Sequence, residues 1–404
     1  MRNATCRLIA AALVGACSRP ENIPSATGLP PVRPAPAAAG ADAAAPLAAR
    51  IVLLSDTLRA LLSRARADSI FPGAIAVVGN SDRVYATVAV GTTDWAPGSA
   101  AIDQRTLWDL ASLTKLVALT TTIATLVDQG QLSLDDTVRK WVHEWRVAGN
   151  EGITVRDLIT HRSGLPAFKQ YFKLVTGKDT VRKLVLAEPL ESPPRTKMVY
   201  SDIGAIILGI VVERVTGQPF EVAVRERVHA PLGMTETMFN PPASLRGRIA
   251  ATENDPWRGR LLVGEVHDEN AYALGGVSAH AGLFSTARDM TRFAQMWLRY
   301  GAAGDRRLIG EGTARLFATV QDSAFSSRAL GWDTPTGDNS AGTLMKRPAF
   351  GHTGFTGTSL WMDPARGVFV LLLTNRVNPS RARTGIAGVR VSVADAAVKW
   401  SDAR

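Results

Sequence analysis

Residues 109–136 read DLASLTKLVALTTTIATLVDQGQLSLDD and place a serine and a lysine at the head of an apolar run. Ser112 and Lys115 are three residues apart, so a helix brings both side chains to one face, about one turn apart. The residues that surround the lysine are apolar, namely Leu113, Leu116, Val117 and Leu119. The pattern predicts a helix that enters the core and carries a serine and a lysine in its first turn.

The chemistry of this pair depends on the charge of the lysine. A serine hydroxyl is a weak nucleophile at neutral pH and needs a base within hydrogen-bond reach. A lysine has a reference pKa of about 10.4 and is normally an ammonium. Burial and the positive end of the helix dipole both disfavour that charge, so we expect a lowered pKa and a neutral Lys115 that accepts the Ser112 proton. The alternative is a Ser-x-x-Lys that occurs by chance.

Tyr200, Ser201 and Asp202 stand directly before a second apolar helix, GAIILGIVVERVTG at residues 204–217. A tyrosine at such a junction can present its phenol to a cleft and pass a proton to a leaving group. The alternative is that Tyr200 packs in the core and that Ser201 or Asp202 caps the helix.

The segment GHTGFTG, residues 351–357, has three glycines beside a predicted strand, which let the backbone approach a ligand closely. His352, Thr353 and Gly354 could then align a substrate carboxylate or carbonyl. The backbone N–H of Phe355, paired with that of Ser112, would form an oxyanion hole. The alternative is a glycine-rich turn with a surface histidine.

The N-terminal residues predict a signal peptide followed by a linker. Residues 1–17 contain arginines, a short apolar run and Val-Gly-Ala-Cys, which resembles a bacterial lipobox and implies cleavage before a lipidated Cys17. Residues 18–48 are rich in Pro and Ala and predict a linker without a core of its own. The folded body is expected at residues 49–404, on a membrane through the lipid anchor, in the bacterial cell envelope.

Strand patterns lie at the two ends of this body, and helix patterns fill its middle. The N-terminal part shows a helix pattern at residues 51–62 and a hairpin around residues 80–82. Two later helices begin with capping-box spacing, at Thr154 with Asp157 and at Thr286 with Asp289. The C-terminal part shows strands at residues 356–363 and 368–373 and a last helix at 386–400. This order predicts an α+β fold with one antiparallel sheet and a helical lobe.

Several classes of function are disfavoured. The net charge is +10, but the basic residues are scattered, so no nucleic-acid partner is expected. The chain has no HExxH, no CxxC, no P-loop and no dinucleotide fingerprint, so we expect neither a metal nor a cofactor. The one dense cluster of potential ligands, His267-Asp268-Glu269, is interpreted as a surface or loop-bracing feature. The sequence predicts no oligomeric state.

Together, the three motifs resemble the serine β-lactamase and penicillin-binding-protein superfamily in its class C-like branch, whose signature of S-x-x-K, a middle motif and K-T-G is known. The resemblance spans residues 51–378 and includes THRSGLP, PLGMTETMF and GLFSTARDM. It implies a β-lactamase/transpeptidase-like fold in which Ser112 is acylated, Lys115 is its base or relay, and Tyr200 acts on the leaving group. Asp202 and residues 352–355 would bind the substrate.

Two departures from the family pattern bear on the substrate. Asp202 replaces the commoner Asn and favours an ammonium on Lys115, so either Tyr200 is the base or Asp202 is protonated. His352 replaces Lys and supplies a charge only when it is protonated. We therefore expect a serine hydrolase for D-Ala-type peptides. A carboxylesterase or a weak β-lactamase is the alternative enzyme, and a noncatalytic penicillin-binding sensor or scaffold is the alternative of another class.

Overall fold

An antiparallel sheet joins the two ends of the chain in the computed structural model, which describes residues 41–324, 326–337 and 339–403. Its five strands run in the order β10 (Phe350–Thr353), β11 (Ser359–Asp363), β12 (Val368–Thr374), β1 (Gly73–Gly79) and β2 (Val84–Gly91), and every neighbouring pair is antiparallel. In β1 and β12, Val77 lies opposite Leu371. The strands predicted at the two ends of the body therefore pair, and the α+β prediction is confirmed.

The remaining strands are short and lie outside this sheet. The shorter strands are β3 Trp108–Asp109, β4 Met238–Phe239, β5 Asn254–Asp255, β6 Arg260–Leu261, β7 Leu283–Ser285, β8 Ala302–Ala303 and β9 Arg306–Arg307. Strand β7 pairs with both β3 and β4. This small sheet fixes the backbone that leads into Ser112.

The α-helices are α1 Ala41–Ala67, α2 Thr121–Asp128, α3 Val138–Trp141, α4 Val155–Ile159, α5 Lys178–Leu186, α6 Asp202–Thr216, α7 Phe220–Val224, α8 Glu269–Ala273, α9 Ala287–Leu298, α10 Glu311–Ala318 and α11 Ile386–Asp402. Shorter helical turns are the π-helices Lys115–Thr120 and Arg225–His229 and the 3₁₀ segments Tyr171–Lys173 and Ala243–Arg248. The first π-helix runs directly into α2, so the helix predicted after Ser112 is present but begins with a wider turn.

The large sheet is covered on both faces. Side chains of β1 alternate between the two sides, with Ile75 and Val77 in the core of the helical lobe and Ala76 and Val78 in the core under α1 and α11. Every residue of β1 and β12 is buried. Burial on both faces explains why β12 is apolar throughout rather than alternating.

Helix α1 begins at Ala41, within the stretch predicted to be linker, and this part of the prediction is wrong. Alanine has the highest helix propensity, and Leu47 and Ile51, one turn apart, both pack against the core. The helix therefore continues through Pro46 towards its N-terminus. The signal segment, Cys17 and linker residues 18–40 lie outside the described residues.

Of the two predicted capping boxes, one forms completely and the other forms only in part. Thr154 and Asp157 form the reciprocal capping box at the start of α4, as predicted. Thr286 accepts the Asp289 N–H at the start of α9, but the Asp289 carboxylate binds the Glu236 N–H at 2.7 Å instead of returning to the cap. This second box is thus half formed, because tertiary contacts recruit the carboxylate.

Helix α6 matches the prediction of a buried helix that ends at a glycine. It is buried from Ile203 to Val212, and Gly217 closes it in the left-handed conformation with φ 68°. Among the described residues, no single helix combines the length and apolar character needed to cross a bilayer, although Asp202–Thr216 and Phe220–His229, bent by 75°, meet that test as a pair.

Candidate active site

Ser112 and Lys115 meet as the sequence predicts. Lys115 Nζ donates to Ser112 Oγ at 3.1 Å and to the backbone oxygen of His280 at 2.9 Å. Lys115 is only 3% exposed and begins the π-helix. The serine and lysine are therefore sheltered on one face, in a helical turn of a type that is frequent at functional sites.

The turn that presents Ser112 has an uncommon backbone. Ala111 has φ 47°, a conformation that non-glycine residues rarely adopt. Its N–H donates to Asp109 Oδ1 at 2.8 Å, and the other oxygen of Asp109 accepts the His267 N–H at 2.7 Å. Buried Asp109 thus ties the turn to the loop before α8, a role that the sequence did not reveal.

The prediction that Lys115 is neutral is wrong. Asp202 Oδ1 lies 2.7 Å from Lys115 Nζ. Burial lowers the pKa of Lys115, but the Asp202 carboxylate and the Tyr200 phenol outweigh burial, and the net pKa lies above its ordinary value. Lys115 is therefore an ammonium in the free protein, as the aspartate in the middle motif suggested.

Tyr200 lies at the centre of a cluster of cations and imidazoles. Its ring centroid is 4.9 Å from both Lys115 Nζ and Arg328 Cζ. The rings of His161 and His352 lie 4.6 and 5.5 Å from it. The hydroxyl of Tyr200 is buried and interacts with Lys115, and among the described residues it makes no contact that meets strict hydrogen-bond geometry. A buried hydroxyl with such loosely met hydrogen-bonding capacity is unusual and can still bind a substrate or a water.

The capping role foreseen near Tyr200 falls to its neighbour. Ser201 Oγ accepts the Gly204 N–H at 3.1 Å and donates to the Pro166 oxygen at 2.6 Å. The Asp202 N–H donates to the Ala167 oxygen at 2.9 Å. These bonds fix the start of α6, and Asp202 is free to point its carboxylate at the lysine.

His352 is buried on β10, so the alternative of a surface histidine is wrong. Its Nδ1 lies 2.7 Å from the oxygen of half-buried Thr353, and its Nε2 lies 3.3 Å from Arg328 Nη1. Burial, followed by the charges of Arg328 and Lys115, holds the pKa of His352 well below its ordinary value. This network assigns the proton to Nδ1 and makes His352 neutral near pH 7.

The glycine-rich segment forms a turn that packs against the nucleophile backbone. The Gly357 N–H donates to the Gly354 oxygen at 3.0 Å. Thr356 Oγ1 donates to the Asp109 oxygen at 2.8 Å, and Thr358 Oγ1 donates to the Leu110 oxygen at 3.0 Å. A Cβ on Gly354 would lie 2.5 Å from the Leu110 oxygen, so only glycine fits there.

The two amides predicted to bind an oxyanion are available. Among the described residues, neither the Ser112 N–H nor the Phe355 N–H has an acceptor. The Phe355 side chain is 49% exposed, with its ring stacked on His267 at 5.6 Å and Arg376 Cζ 4.5 Å from its centroid. The predicted site residues thus lie close together around Ser112 and Lys115.

Asp268 and His280 are further residues of the site that went unrecognised in the sequence, as did Asp109, His161 and Arg328. Asp268 Oδ1 lies 2.9 Å from Nε2 of His280, whose Nδ1 lies 2.7 Å from Ser278 Oγ. Potential ligand atoms of Asp202, Asp268 and His280 all lie within 4.8 Å of one another. The Lys115 ammonium already pairs with this group, so its positive charge would repel an added metal ion. Asp268 could be suspected from its cluster, whereas no pattern marked His280.

The His267-Asp268-Glu269 cluster braces loops, as interpreted, but its histidine is buried. His267 Nε2 lies 2.9 Å from Glu253, and Arg381 lies 2.6 Å from Glu253 and 2.7 Å from Glu269. Burial raises the pKa of Glu253, but hydrogen bonds from His267 and Arg381 outweigh it and lower the pKa to about 2. This network holds the loop that follows β6.

Glu253→Gln should make the free energy of unfolding less dependent on acidic pH. The folded pKa of Glu253 lies below its ordinary value of 4.5, so its stabilisation is complete above about pH 4.5 and is lost towards about pH 2. We expect the variant to lose about 1–3 kcal/mol of unfolding free energy at pH 7 and to lose less than the wild type on acidification. Denaturant unfolding from pH 7 to 3 measures this, with exposed Glu144→Gln as the control. Parallel curves for Glu253→Gln and wild type would contradict it.

A comparison with protein families decides the relationship, because the Beta-lactamase family model matches residues 58–394. The chain belongs to the β-lactamase family. A "Putative D-alanyl-D-alanine carboxypeptidase" of Escherichia coli K12 is 37% identical over 309 residues, which cover 67% of this chain and 69% of the relative. An "N-acetylmuramyl-L-alanine amidase" of Bacillus subtilis is 35% identical over 343 residues, covering 76% of this chain and 77% of the relative.

Solved structures confirm the β-lactamase/transpeptidase-like fold. A penicillin-binding-protein homologue from Caulobacter crescentus superposes with a TM-score of 0.70 at 22% identity, covering 86% of this chain and 97% of that chain. EstCE1, a hydrolase with promiscuous acyltransferase activity, gives 0.69 at 20% identity, covering 85% and 98%. This β-lactamase-family chain is a serine hydrolase.

Proposed function

We propose that the protein hydrolyses D-Ala-type peptides through an acyl-enzyme on Ser112. The observation that carries the proposal is the convergence of Ser112, Lys115, Tyr200 and Asp202 with a fixed cation, Arg328, beside the third motif. Relatives whose names indicate carboxypeptidase and amidase activity support this substrate class.

The charge of Lys115 decides whether this lysine can accept the Ser112 proton. An ammonium cannot accept the Ser112 proton, so Lys115 instead holds the hydroxyl oxygen and the Asp202 carboxylate in place. We assign the base to Tyr200, because its ring lies 4.9 Å from Lys115 Nζ and so places a phenol, a group that can exchange protons, beside the nucleophile pair. This step requires the phenolate form of Tyr200, which takes the proton as Ser112 attacks, becomes a phenol and then passes that proton to the leaving amine.

The carbonyl oxygen of the substrate becomes negative as the Ser112 oxygen adds to the carbonyl carbon. The amides of Ser112 and Phe355 have no other acceptor among the described residues and would donate to that oxygen. Collapse of this intermediate breaks the amide bond and leaves an acyl ester on Ser112. Water then attacks the ester, with Tyr200 again moving the proton.

Arg328 supplies the fixed charge that His352 lacks. Its guanidinium touches His352 and the Tyr200 ring and lies 3.6 Å from Asp333. A guanidinium is always charged and matches a carboxylate with two parallel donors. We therefore assign recognition of a peptide C-terminal carboxylate to Arg328, helped by Thr353 at the end of β10.

Arg328→Gln should lower kcat/KM for acidic substrates much more than for neutral ones. Loss of a charge-assisted hydrogen bond of about 1.5–3 kcal/mol lowers kcat/KM for a D-Ala-D-Ala peptide about 10-fold to 10²-fold. A neutral short-chain ester should change by less than about threefold. Because His352 stays neutral, its protonation should not raise the rate with acidic substrates between pH 7.5 and 6. Arg315→Gln, which removes an arginine stacked on Tyr300, is the control. Equal losses on both substrates would contradict the assignment.

The competing functions differ in what happens to an acyl adduct. A panel of a D-Ala-D-Ala peptide, short-chain esters and a chromogenic cephalosporin ranks peptidase, carboxylesterase and weak β-lactamase by kcat/KM. Intact mass after incubation with a fluorescent penicillin tests the other class. An adduct that turns over indicates an enzyme, one that persists indicates a sensor, and no adduct indicates a scaffold.

We further propose that the protein is anchored in the cell envelope through a lipid on Cys17, beyond the described residues. Its bacterial relatives carry names of cell-wall enzymes, which supports this location. Cys17→Ala should abolish incorporation of labelled palmitate in the expressing bacterium. Deletion of residues 1–40, which spares α1, should give an active protein that needs no detergent. Palmitate in Cys17→Ala would contradict the anchor, and an inactive truncated protein would contradict the tether.

A further inference from the structure

An arginine of the last helix holds the glycine-rich turn from behind. Arg390, in the second turn of α11, donates from Nη2 to the Gly354 oxygen at 2.6 Å and to the Thr358 oxygen at 2.9 Å. The Gly354 N–H also donates to the Thr358 oxygen at 2.8 Å. One guanidinium therefore binds both carbonyls that close this loop.

The first of these carbonyls belongs to the same peptide unit as the Phe355 N–H. In a planar trans peptide the C=O and N–H point in opposite directions, so fixing one fixes the other. The Gly354 oxygen is held by Arg390 and by the Gly357 N–H, and the Phe355 oxygen accepts from Arg376 Nε at 2.9 Å. Both peptide units that flank Phe355 are thus anchored, while its N–H has no acceptor among the described residues.

The charge of Arg390 has no acidic counterpart. No carboxylate lies within ion-pair distance of it in the part of the chain that the structure describes, and its Nε is buried without a partner there. Burial, and then the charge of Arg376, lower the pKa of Arg390 to about 10. Arginines in such surroundings are usually paired with acids. Among the described residues the hydrogen bonds of this cation go to carbonyl oxygens, and one of these oxygens belongs to the peptide whose N–H is that of Phe355.

We propose that Arg390 is a positioning residue for the oxyanion hole: it orients and polarises the Gly354–Phe355 peptide, so that the Phe355 N–H meets the negative oxygen of the tetrahedral intermediate. This inference rests on the proposed acyl-enzyme function. The role differs from substrate binding, because the Nη2 donors of Arg390 are used on the main chain.

The test compares Arg390→Gln and Arg390→Lys with the wild type. Arg307→Gln is the matched control, because Arg307 also donates to two main-chain carbonyls, those of Tyr300 and Ile309, on the hairpin after α9. Three quantities are measured at pH 7: kcat and KM for a p-nitrophenyl ester, and the inhibition constant of phenylboronic acid, which forms a tetrahedral adduct on a serine. Circular dichroism melting checks the fold of each variant.

Removal of a whole oxyanion donor costs about 10²–10³ in kcat, so a misaligned donor should cost about 10-fold to 10²-fold. We expect Arg390→Gln to lose this factor in kcat, to lose boronate affinity by a similar factor, and to keep KM within about threefold. Arg390→Lys should recover most of both losses, and Arg307→Gln should resemble the wild type.

A folded Arg390→Gln that keeps kcat within about twofold, or that loses kcat without losing boronate affinity, overturns the inference. If Arg390→Gln does not fold, Arg390→Lys decides by the same criterion: its losses in kcat and boronate affinity must be parallel. Intact mass of the wild type with the ester separates the two proposals. An adduct on Ser112 without parallel losses rejects only the role of Arg390, whereas no wild-type adduct rejects both.

Discussion

Ser112→Ala is expected to abolish acyl-enzyme formation while the fold persists. The nucleophile of a serine hydrolase acts as a unit with its partners, and its removal costs about 10⁴–10⁶ in kcat. The structural cost is small, because Ser112 Oγ makes a single hydrogen bond, to Lys115, among the described residues. Lys115 keeps its contacts with Asp202 and the His280 oxygen in the variant.

Intact mass after incubation with an activated ester measures the adduct, and thermal melting measures the fold. Ser55→Ala is the control, since Ser55 lies on α1 and donates only to the Ile51 oxygen. An unchanged rate of ester hydrolysis in Ser112→Ala would remove Ser112 from the mechanism and would require another nucleophile in the cleft.

Lys115→Ala is expected to lower kcat about 10²-fold to 10⁴-fold, the range for failure of general base catalysis, because Tyr200 loses the ammonium beside it and Ser112 loses its donor. The variant loses the donor to Ser112 Oγ and the cation beside Tyr200, and it leaves Asp202 and Asp268 close together without that positive charge. Proton transfer and the placement of the nucleophile should therefore fail together.

Single-turnover acylation and steady-state hydrolysis at pH 7 measure this loss. Lys140→Ala is the matched control, because Lys140 pairs with Asp136 at 2.7 Å on the surface rather than in the cleft. Exposed pairs of this kind contribute little, about 0–1 kcal/mol. A loss below about threefold in Lys115→Ala would contradict the proposal that its ammonium positions Ser112 and supports Tyr200 as the base.

Asp202→Asn separates the two candidate bases. The Asp202 carboxylate raises the pKa of Lys115, so its removal should let burial lower that pKa. If Tyr200 is the base and needs the ammonium beside it, the variant loses activity as pH rises. If Lys115 is the base, the variant gains activity as its lysine becomes neutral.

The outline of the fold and the catalytic pair could be predicted because their signals are local. Three-residue spacing puts Ser112 and Lys115 on one turn, and Thr154 with Asp157 caps its helix, whatever the rest of the chain does. The apolar run of β12 likewise indicates a buried strand by itself. Where a tertiary partner competes, as Glu236 does for Asp289, the local rule is only half obeyed.

The sequence by itself thus determined which groups can react: a serine, a lysine and a tyrosine, each placed at the start of a helix, with a glycine-rich turn that exposes an amide. Only the tertiary structure decided their charges and directions. The backbone partner of Lys115 is 165 residues away, the cation beside His352 is 24 residues away, and the arginine behind Gly354 is 36 residues away. Backbone hydrogen bonds within one helical turn fix which neighbouring residues share a face, so the sequence alone reveals them. The charge of a buried group depends instead on every dipole and ion that packing brings within a few ångströms.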